Sequence, residues 1–122
     1  MPADGEWKTL ELFLGMDSTG VNLIFPPNNY VACLIREPGT SHWYYPNTSA
    51  NNLSVFTALP AGYRWRFYQE FSTLHERANF WTSTAVDAAN AWYYTSYYNL
   101  IANYRTYTLK NYGFSVRCVR DN

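Results

Sequence analysis

The C-terminal third of the chain places the tightest constraint on its fold. From Ala91 onward the sequence runs with a period of two, and 91–98, 103–109 and 113–120 are three strand candidates separated by short turn-rich segments. Strands so close in sequence pair as an antiparallel meander. In the last candidate Phe114, Val116 and Cys118 share one face while Ser115 and Arg117 take the other, the pattern of a strand with one buried side. The same third holds Tyr93, Tyr94, Tyr97, Tyr98, Tyr104, Tyr107 and Tyr112, seven of the 12 tyrosines. A core has difficulty satisfying so many phenolic hydroxyls in so short a stretch. Some of them therefore face solvent, where Tyr offers a large amphipathic contact area at low entropic cost. The plainer alternative is a Tyr-rich sheet face held by cross-strand aromatic pairs. Alternation leaves the facing of each individual Tyr open.

Ahead of this region the pattern is different. Residues 6–14 read as a short amphipathic helix, with Trp7, Leu10 and Leu14 on one side, Lys8 and Glu11 on the other, and Gly15 placed to cap the end. Residues 16–54 carry four of the six prolines and many Asn, Ser and Thr, so they are expected to be mostly loop, with one short strand or helix at 30–35. Residues 55–59 form a plausible buried strand closed by Pro60-Ala61-Gly62, and Phe80-Trp81-Thr82 a second short one. The segments predict an α+β architecture: a short N-terminal helix, long loops and a C-terminal antiparallel sheet, in a single domain spanning 1–122.

Composition narrows the function classes. A hydrophobic content of 48% excludes a chain that is mainly disordered. The formal net charge is zero and no basic run is present, so no nucleic-acid partner is expected. No apolar stretch approaches the roughly 20 residues of a membrane-spanning helix, so direct membrane insertion is not expected. Cys33 and Cys118 have neither metal-ligand spacing nor a framework pattern, and composition leaves a disulfide and two buried thiols both open.

Six segments in order resemble one bacterial family. Pro2-Ala3-Asp4-Gly5-Glu6-Trp7-Lys8-Thr9-Leu10 is similar to a helix-initiating "LPxDxEWxxL". Gly39-Thr40-Ser41-His42-Trp43 with Pro46-Asn47-Thr48 is similar to "GTTHW..PNT", and 56–64 to "FTALPGGYR". Phe80-Trp81-Thr82-Ser83-Thr84 is similar to "FWSST"; Asn90-Ala91-Trp92 follows, and 113–119 is similar to "GFSVRCV". Together these resemble the Fibrobacter succinogenes major paralogous domain. The resemblance implies a C-type-lectin-like fold of the formylglycine-generating-enzyme type, found in exported bacterial proteins. It therefore implies an extracellular or cell-surface location, a phage particle included, with any signal or anchor outside this chain.

The same fold serves the variable proteins of diversity-generating retroelements, in which randomised template adenines turn Asn codons into Tyr, Ser, Thr, Asp and others but not into Lys, Glu, Gln, Met or Trp. Between Tyr93 and Tyr112 only Lys110 belongs to the excluded set, which fits such diversification. Three departures from the family pattern stand out. The upstream Cys-Pro-x-Gly-Trp segment is not in this chain, so the resemblance implies that Cys118 lacks its usual partner and that Cys33 and Cys118 are not bonded. Ala3 replaces a Ser or Thr, which removes the capping box with Glu6. Tyr44 and Tyr45 occupy a loop where small polar residues are frequent, suggesting either contact surface or packing on Trp43.

Motif-level chemistry is sparse. His42 reads as a structural hydrogen-bonding residue and His75 as part of a solvated face; no His-Glu-x-x-His, Gly-x-Ser-x-Gly, phosphate loop or Cys-x-x-Cys occurs. The cysteine context of formylglycine-generating enzymes is missing, and Glu37-Pro38-Gly39 lacks the Asn of calcium-binding lectins. The expected function is therefore recognition rather than catalysis, with no cofactor and no metal. The expected contact residues are Tyr44, Tyr45, Tyr93, Tyr94, Tyr97, Tyr98, Asn99, Tyr104, Arg105, Tyr107 and Tyr112, and the expected partner is a protein or a glycan. The rival from another class is a structural or oligomerising module, in which the same tyrosines make subunit contacts.

Overall fold

A computed structural model describes residues 1–121, and they build an α+β domain. In chain order come α1 (Asp4–Phe13), a 3-10 turn (Gly20–Asn22), α2 (Val31–Ile35), β1 (Tyr63–Arg64), β2 (Phe71–Ser72), β3 (Arg77–Ala85), β4 (Asn90–Tyr97) and β5 (Asn103–Leu109). Strands β3, β4 and β5 form one antiparallel sheet in that order, and β1 with β2 forms a separate antiparallel pair.

The helix forms where its apolar spacing places it. Trp7 is buried, its ring stacked on Tyr94 at 4.8 Å and packed against Phe80 at 5.5 Å and Phe56 at 5.6 Å. Leu10 and Leu14 cover the edge of the same cluster. Gly15 follows at φ 102°, a conformation that ends the helix at little cost for glycine alone. Contrary to the expectation from Ala3, half of the capping arrangement survives: the Glu6 carboxylate accepts the Ala3 N–H at 2.7 Å. Only the half that needs a side-chain oxygen at position 3 is lost.

Register and the pleat sort the sheet into two faces. Pairings Ala78↔Ser96, Phe80↔Tyr94, Tyr94↔Arg105 and Trp92↔Tyr107 place these side chains on the face turned to α1. Pairings Arg77↔Tyr97, Asn79↔Thr95, Trp81↔Tyr93 and Thr95↔Tyr104 place theirs on the opposite, outer face. The inner face carries a polar cluster as well as apolar packing. Arg105 forks onto Asp4 through Nε and Nη2, both at 2.8 Å, Tyr94 Oη donates to Asp4 at 3.0 Å, and Lys8 reaches the same carboxylate at 3.1 Å. Burial works to raise the Asp4 pKa, but the bonds from Arg105, Lys8 and Tyr94 together outweigh it and hold the carboxyl below its ordinary value. Glu11, read from the spacing as part of the polar side with Lys8, is instead fully buried; among the described residues its side chain has only the Asn103 amide at 3.4 Å, and burial pushes its pKa up to about 7.

Two expected strands are not present as such. Val55 is 77% exposed, and of 55–59 only Ala58 pairs, in a single parallel bridge to Arg36. Segment 113–120 pairs only at Gly113, with Arg64, and at Ser115, with Phe80. After Ser115 the chain leaves the sheet, so no partner strand imposes the alternation read from the sequence. Phe114 is half-buried, but Val116 is 52% exposed and Cys118 is exposed, which corrects the expected burial of both. Arg117 is exposed as expected and lies over the Phe56 ring at 4.4 Å. Cys33 and Cys118 are both free, and burial pushes the Cys33 thiol pKa up.

Candidate functional site

The outer face of the sheet is only partly covered, and the segments that cover it leave an open cleft of about 150 Å³. Its floor and sides come from the sheet: Arg77 and Asn79 of β3, Tyr93 of β4 and Thr108 of β5. Its rim comes from the neighbouring segments, through Tyr63 of β1 and through Tyr112 and Phe114 after β5. The rings meet at short range, Phe114 lying 4.5 Å from Tyr93 and 6.0 Å from Tyr112, with Tyr63 5.9 Å from Tyr112. The backbone fixes this arrangement. Gly113 and Arg64 exchange N–H···O bonds at 2.9 and 2.8 Å, and Trp81 N–H donates to Ser115 at 3.0 Å, so Phe114 is held between two anchored residues.

Glycine is required at the base of the rim. Gly62 sits at φ 67°, and a Cβ there would lie 2.1 Å from the Ser72 carbonyl oxygen. The close approach sets the start of β1 against the end of β2. The hairpin between them carries Trp65, Phe67, Tyr68 and Phe71 outward, with the last two 84% and 80% exposed. Trp65 Nε1–H donates to Tyr112 Oη at 3.1 Å and so ties the hairpin to the cleft. Burial pushes the Tyr93 phenol pKa up to about 12, which keeps it protonated and able to donate. The Arg77 guanidinium lies over the Tyr97 ring at 4.4 Å and takes part in none of the ion pairs of the described residues.

The expected contact residues divide into several places. Tyr93 and Tyr112 line the cleft, while Tyr97 and Tyr104 extend the outer face beside it, their rings 6.1 Å apart. Tyr94 and Arg105 are 1% and 5% exposed on the inner face and belong to the Asp4 cluster, so the expectation that they contact a ligand is corrected. Tyr107 is exposed at the far end of the inner face, against Trp92 at 5.3 Å. Tyr44 packs on His75 and on Tyr98 at the opposite end of β4, Tyr45 beside it points into solvent, and Asn99 is exposed in the following turn. His42, expected to be structural, meets the Glu37 carboxylate at 2.8 Å.

The sequence reading missed Tyr63, Arg77, Asn79, Thr108 and Phe114 as cleft residues, and the aromatic hairpin entirely. A signal for the hairpin was present: Tyr63, Trp65 and Phe67 alternate with Arg64 and Arg66 directly after Gly62. Among the described residues, no three His, Cys, Asp or Glu side chains come together in a way that could hold a metal ion. No helix among them is long and apolar enough to cross a membrane.

Fold and site together define a small α+β domain with an aromatic, hydroxyl-rich cleft on the outer face of its sheet. The chain belongs to the Fibrobacter succinogenes major domain family, whose sequence model matches residues 1–120. No curated protein and no solved structure matches it.

Proposed function

We propose that this domain is a non-enzymatic recognition module of C-type-lectin-like type that binds a protein or a glycan on the outer face of its sheet. The observation that carries this reading is the open cleft walled by Tyr63, Tyr93 and Tyr112, with the Arg77 guanidinium in its lining and in no ion pair among the described residues. Rigid aromatic side chains around a few placed polar groups are the usual make-up of a binding site. The proposed location is extracellular or at a cell or phage surface.

The proposal includes diversification of 93–112 by a retroelement, supported by the near-absence there of residues such a mechanism cannot produce. Tyr94, Thr95, Ser96 and Arg105 within that window are buried, so tolerated variation is expected at Tyr93, Tyr97, Tyr104 and Tyr107 instead. Sequencing many copies of the gene tests this; variation spread evenly along the chain, or concentrated at the buried positions, would refute it.

The exposed Phe67, Tyr68 and Phe71 favour a second reading, in which the hairpin makes subunit contacts in a larger assembly. Sedimentation of the purified chain separates the two. A monomer that binds surface ligands through the cleft supports recognition, and tight self-association abolished by changes at Tyr68 and Phe71 supports assembly.

A further inference from the structure

We infer that the cleft holds one carboxylate-bearing sugar ring, a uronic-acid residue of a glycan, with Arg77 as the seat of its carboxylate. The inference rests on the reading of the outer face as the ligand surface. Size is the first argument. At about 150 Å³ the cleft is well below the 300–1,000 Å³ or so of sites for drug-sized ligands. It accommodates one ring and not a folded peptide segment.

Charge is the second argument. The lining has one cationic group and no acidic one. Arg77 is half-buried, placed over the Tyr97 ring at 4.4 Å, and forms no side-chain hydrogen bond or ion pair among the described residues. A guanidinium fixed by stacking and left without a partner presents its fork of donors to a carboxylate, and the bidentate pair is strong and directional. A single Arg in a chain of zero net charge matches one carboxylate better than a polyphosphate backbone.

Strand edges separate sugar from peptide. Extended peptides bind sheets by pairing with a free strand edge. On the β3 side of the cleft, where Arg77 stands, that edge is taken: Trp81 N–H by Ser115, Arg64 by Gly113, and the Arg77 carbonyl by Gly62. What the cleft offers is side-chain chemistry of phenols and a threonine hydroxyl around ring faces, since the Asn79 amide in its floor is buried and already donates to the Gly62 carbonyl at 3.3 Å. A pyranose matches this with its hydroxyl rim and its C–H face.

The test is an NMR titration of the full chain with four probes: galacturonate oligomers, the neutral galactose oligomers of the same length, a glutamate-containing tripeptide and a nucleoside monophosphate. The galacturonate oligomers are expected to shift the Asn79 and Tyr93 resonances. Neutral oligomers, and galacturonate with Arg77→Gln, are expected to bind at least about tenfold more weakly, as loss of a charge-assisted pair predicts. Arg77→Lys should fall between, since it keeps the charge and loses the fork. Unchanged melting temperatures of both variants establish that they are folded. Equal binding of the neutral oligomer, tighter binding of the tripeptide or nucleotide, or no shift with any probe overturns the sugar assignment. If a surface ligand found by panel screening still shifts the outer-face resonances, only that assignment falls. If panel ligands shift the inner-face end or the Tyr44 loop alone, the reading of the outer face falls with it.

Discussion

Arg105 and Arg77 stand on opposite faces of the same sheet, each stacked over an aromatic ring, Trp92 at 3.5 Å and Tyr97 at 4.4 Å. Arg105 is buried against α1 and forks onto Asp4, with Tyr94 and Lys8 completing the carboxylate's partners. Arg77 is half-buried and, among the described residues, has no carboxylate partner. The neighbours Tyr93 and Tyr94 divide the same way, one rimming the cleft and the other closing the core. Identical residue types therefore serve stability on one face and are left available on the other. What decides between these fates is whether α1 supplies a partner, and the contrast can be broken experimentally from either side.

The largest effect is expected from removing that partner. Asp4→Ala leaves the buried Arg105 guanidinium uncompensated, and breaking such a pair costs about 3–5 kcal/mol. Against the 5–15 kcal/mol or so of a typical domain this brings the fold near its limit. Arg77→Gln is expected to change stability by no more than about 0.5 kcal/mol, as for a typical surface position. Urea denaturation of the two variants side by side checks both. Comparable losses would mean that the outer guanidinium is also part of the core.

Next in size is a pH effect confined to the inner face. Glu11 has its pKa raised from 4.5 to about 7 by burial, so between those values the folded chain binds a proton that the unfolded chain does not. Stability therefore falls as pH rises through this window and is fully recovered below the lower value. A shift of this size corresponds to on the order of 3 kcal/mol. Asp4 acts in the opposite sense and only at lower pH: its depressed pKa favours folding above the unfolded value and is lost as acid protonates it. Glu11→Gln is expected to flatten the decline and raise the melting point at pH 8 while leaving it nearly unchanged at pH 4. A wild-type melting point that does not fall between pH 5 and 8 would show that Glu11 is better solvated than its burial implies.

How far these contrasts were legible in the sequence depends on distance along the chain. Strands β4 and β5 and helix α1 follow from local periodicity, and their bounds in the structure lie within two residues of those read from the pattern. Alternation also separates Tyr93 from Tyr94, but it does not say which of the two faces inward. That choice is made by Trp7 and Asp4, about 90 residues away, and Arg105 is misread as a surface contact because its partner lies 101 residues upstream. The last segment fails for a related reason. Its alternation from Phe114 to Cys118 is a strand pattern, yet only Gly113 and Ser115 find partners, so the periodicity has nothing to act on beyond them. The cleft was half legible: Tyr93 and Tyr112 stood out by type, while Arg77 and Asn79 are unremarkable until register places them opposite Tyr97 and Thr95.

A smaller loss is expected when three outer-face tyrosines and Tyr107, exposed at the far end of the inner face, are changed together. Tyr93, Tyr97, Tyr104 and Tyr107 to Ser should leave a folded domain, at a combined cost of about 2 kcal/mol, since partly exposed positions give up little on truncation. Tyr93 contributes most of this through its contact with Phe114 at 4.5 Å. Tyr94→Ser alone is expected to cost more than all four, because removing a buried aromatic costs about 3–5 kcal/mol. Circular-dichroism melts check the order. Collapse of the four-Ser variant would make the outer face part of the core and remove the basis for a binding surface.

The smallest effect sharpens the comparison at its finest point, a single oxygen. Tyr112→Phe keeps the ring that packs on Tyr63 at 5.9 Å and Phe114 at 6.0 Å, and removes only the acceptor of the Trp65 N–H at 3.1 Å. Trp65 is half-buried, so water can replace the lost partner and the stability change should stay within about 1 kcal/mol. The local consequence is expected to be larger than the global one. That hydrogen bond joins the β1–β2 hairpin to the segment after β5, alongside the ring packing of Tyr63 and the backbone pairing of Arg64 with Gly113. Its loss should shift the Trp65 indole resonance, speed hydrogen exchange along 65–70 and weaken any ligand that touches both hairpin and cleft. The inner-face counterpart, Tyr94→Phe, removes a hydroxyl that donates to Asp4 in a site water does not reach, and should therefore cost more stability with no change in exchange along the hairpin. Equal stability losses for the two Phe variants would show that the faces differ less than their burial suggests. Unchanged exchange along 65–70 in Tyr112→Phe would show that the backbone pairing alone positions the hairpin.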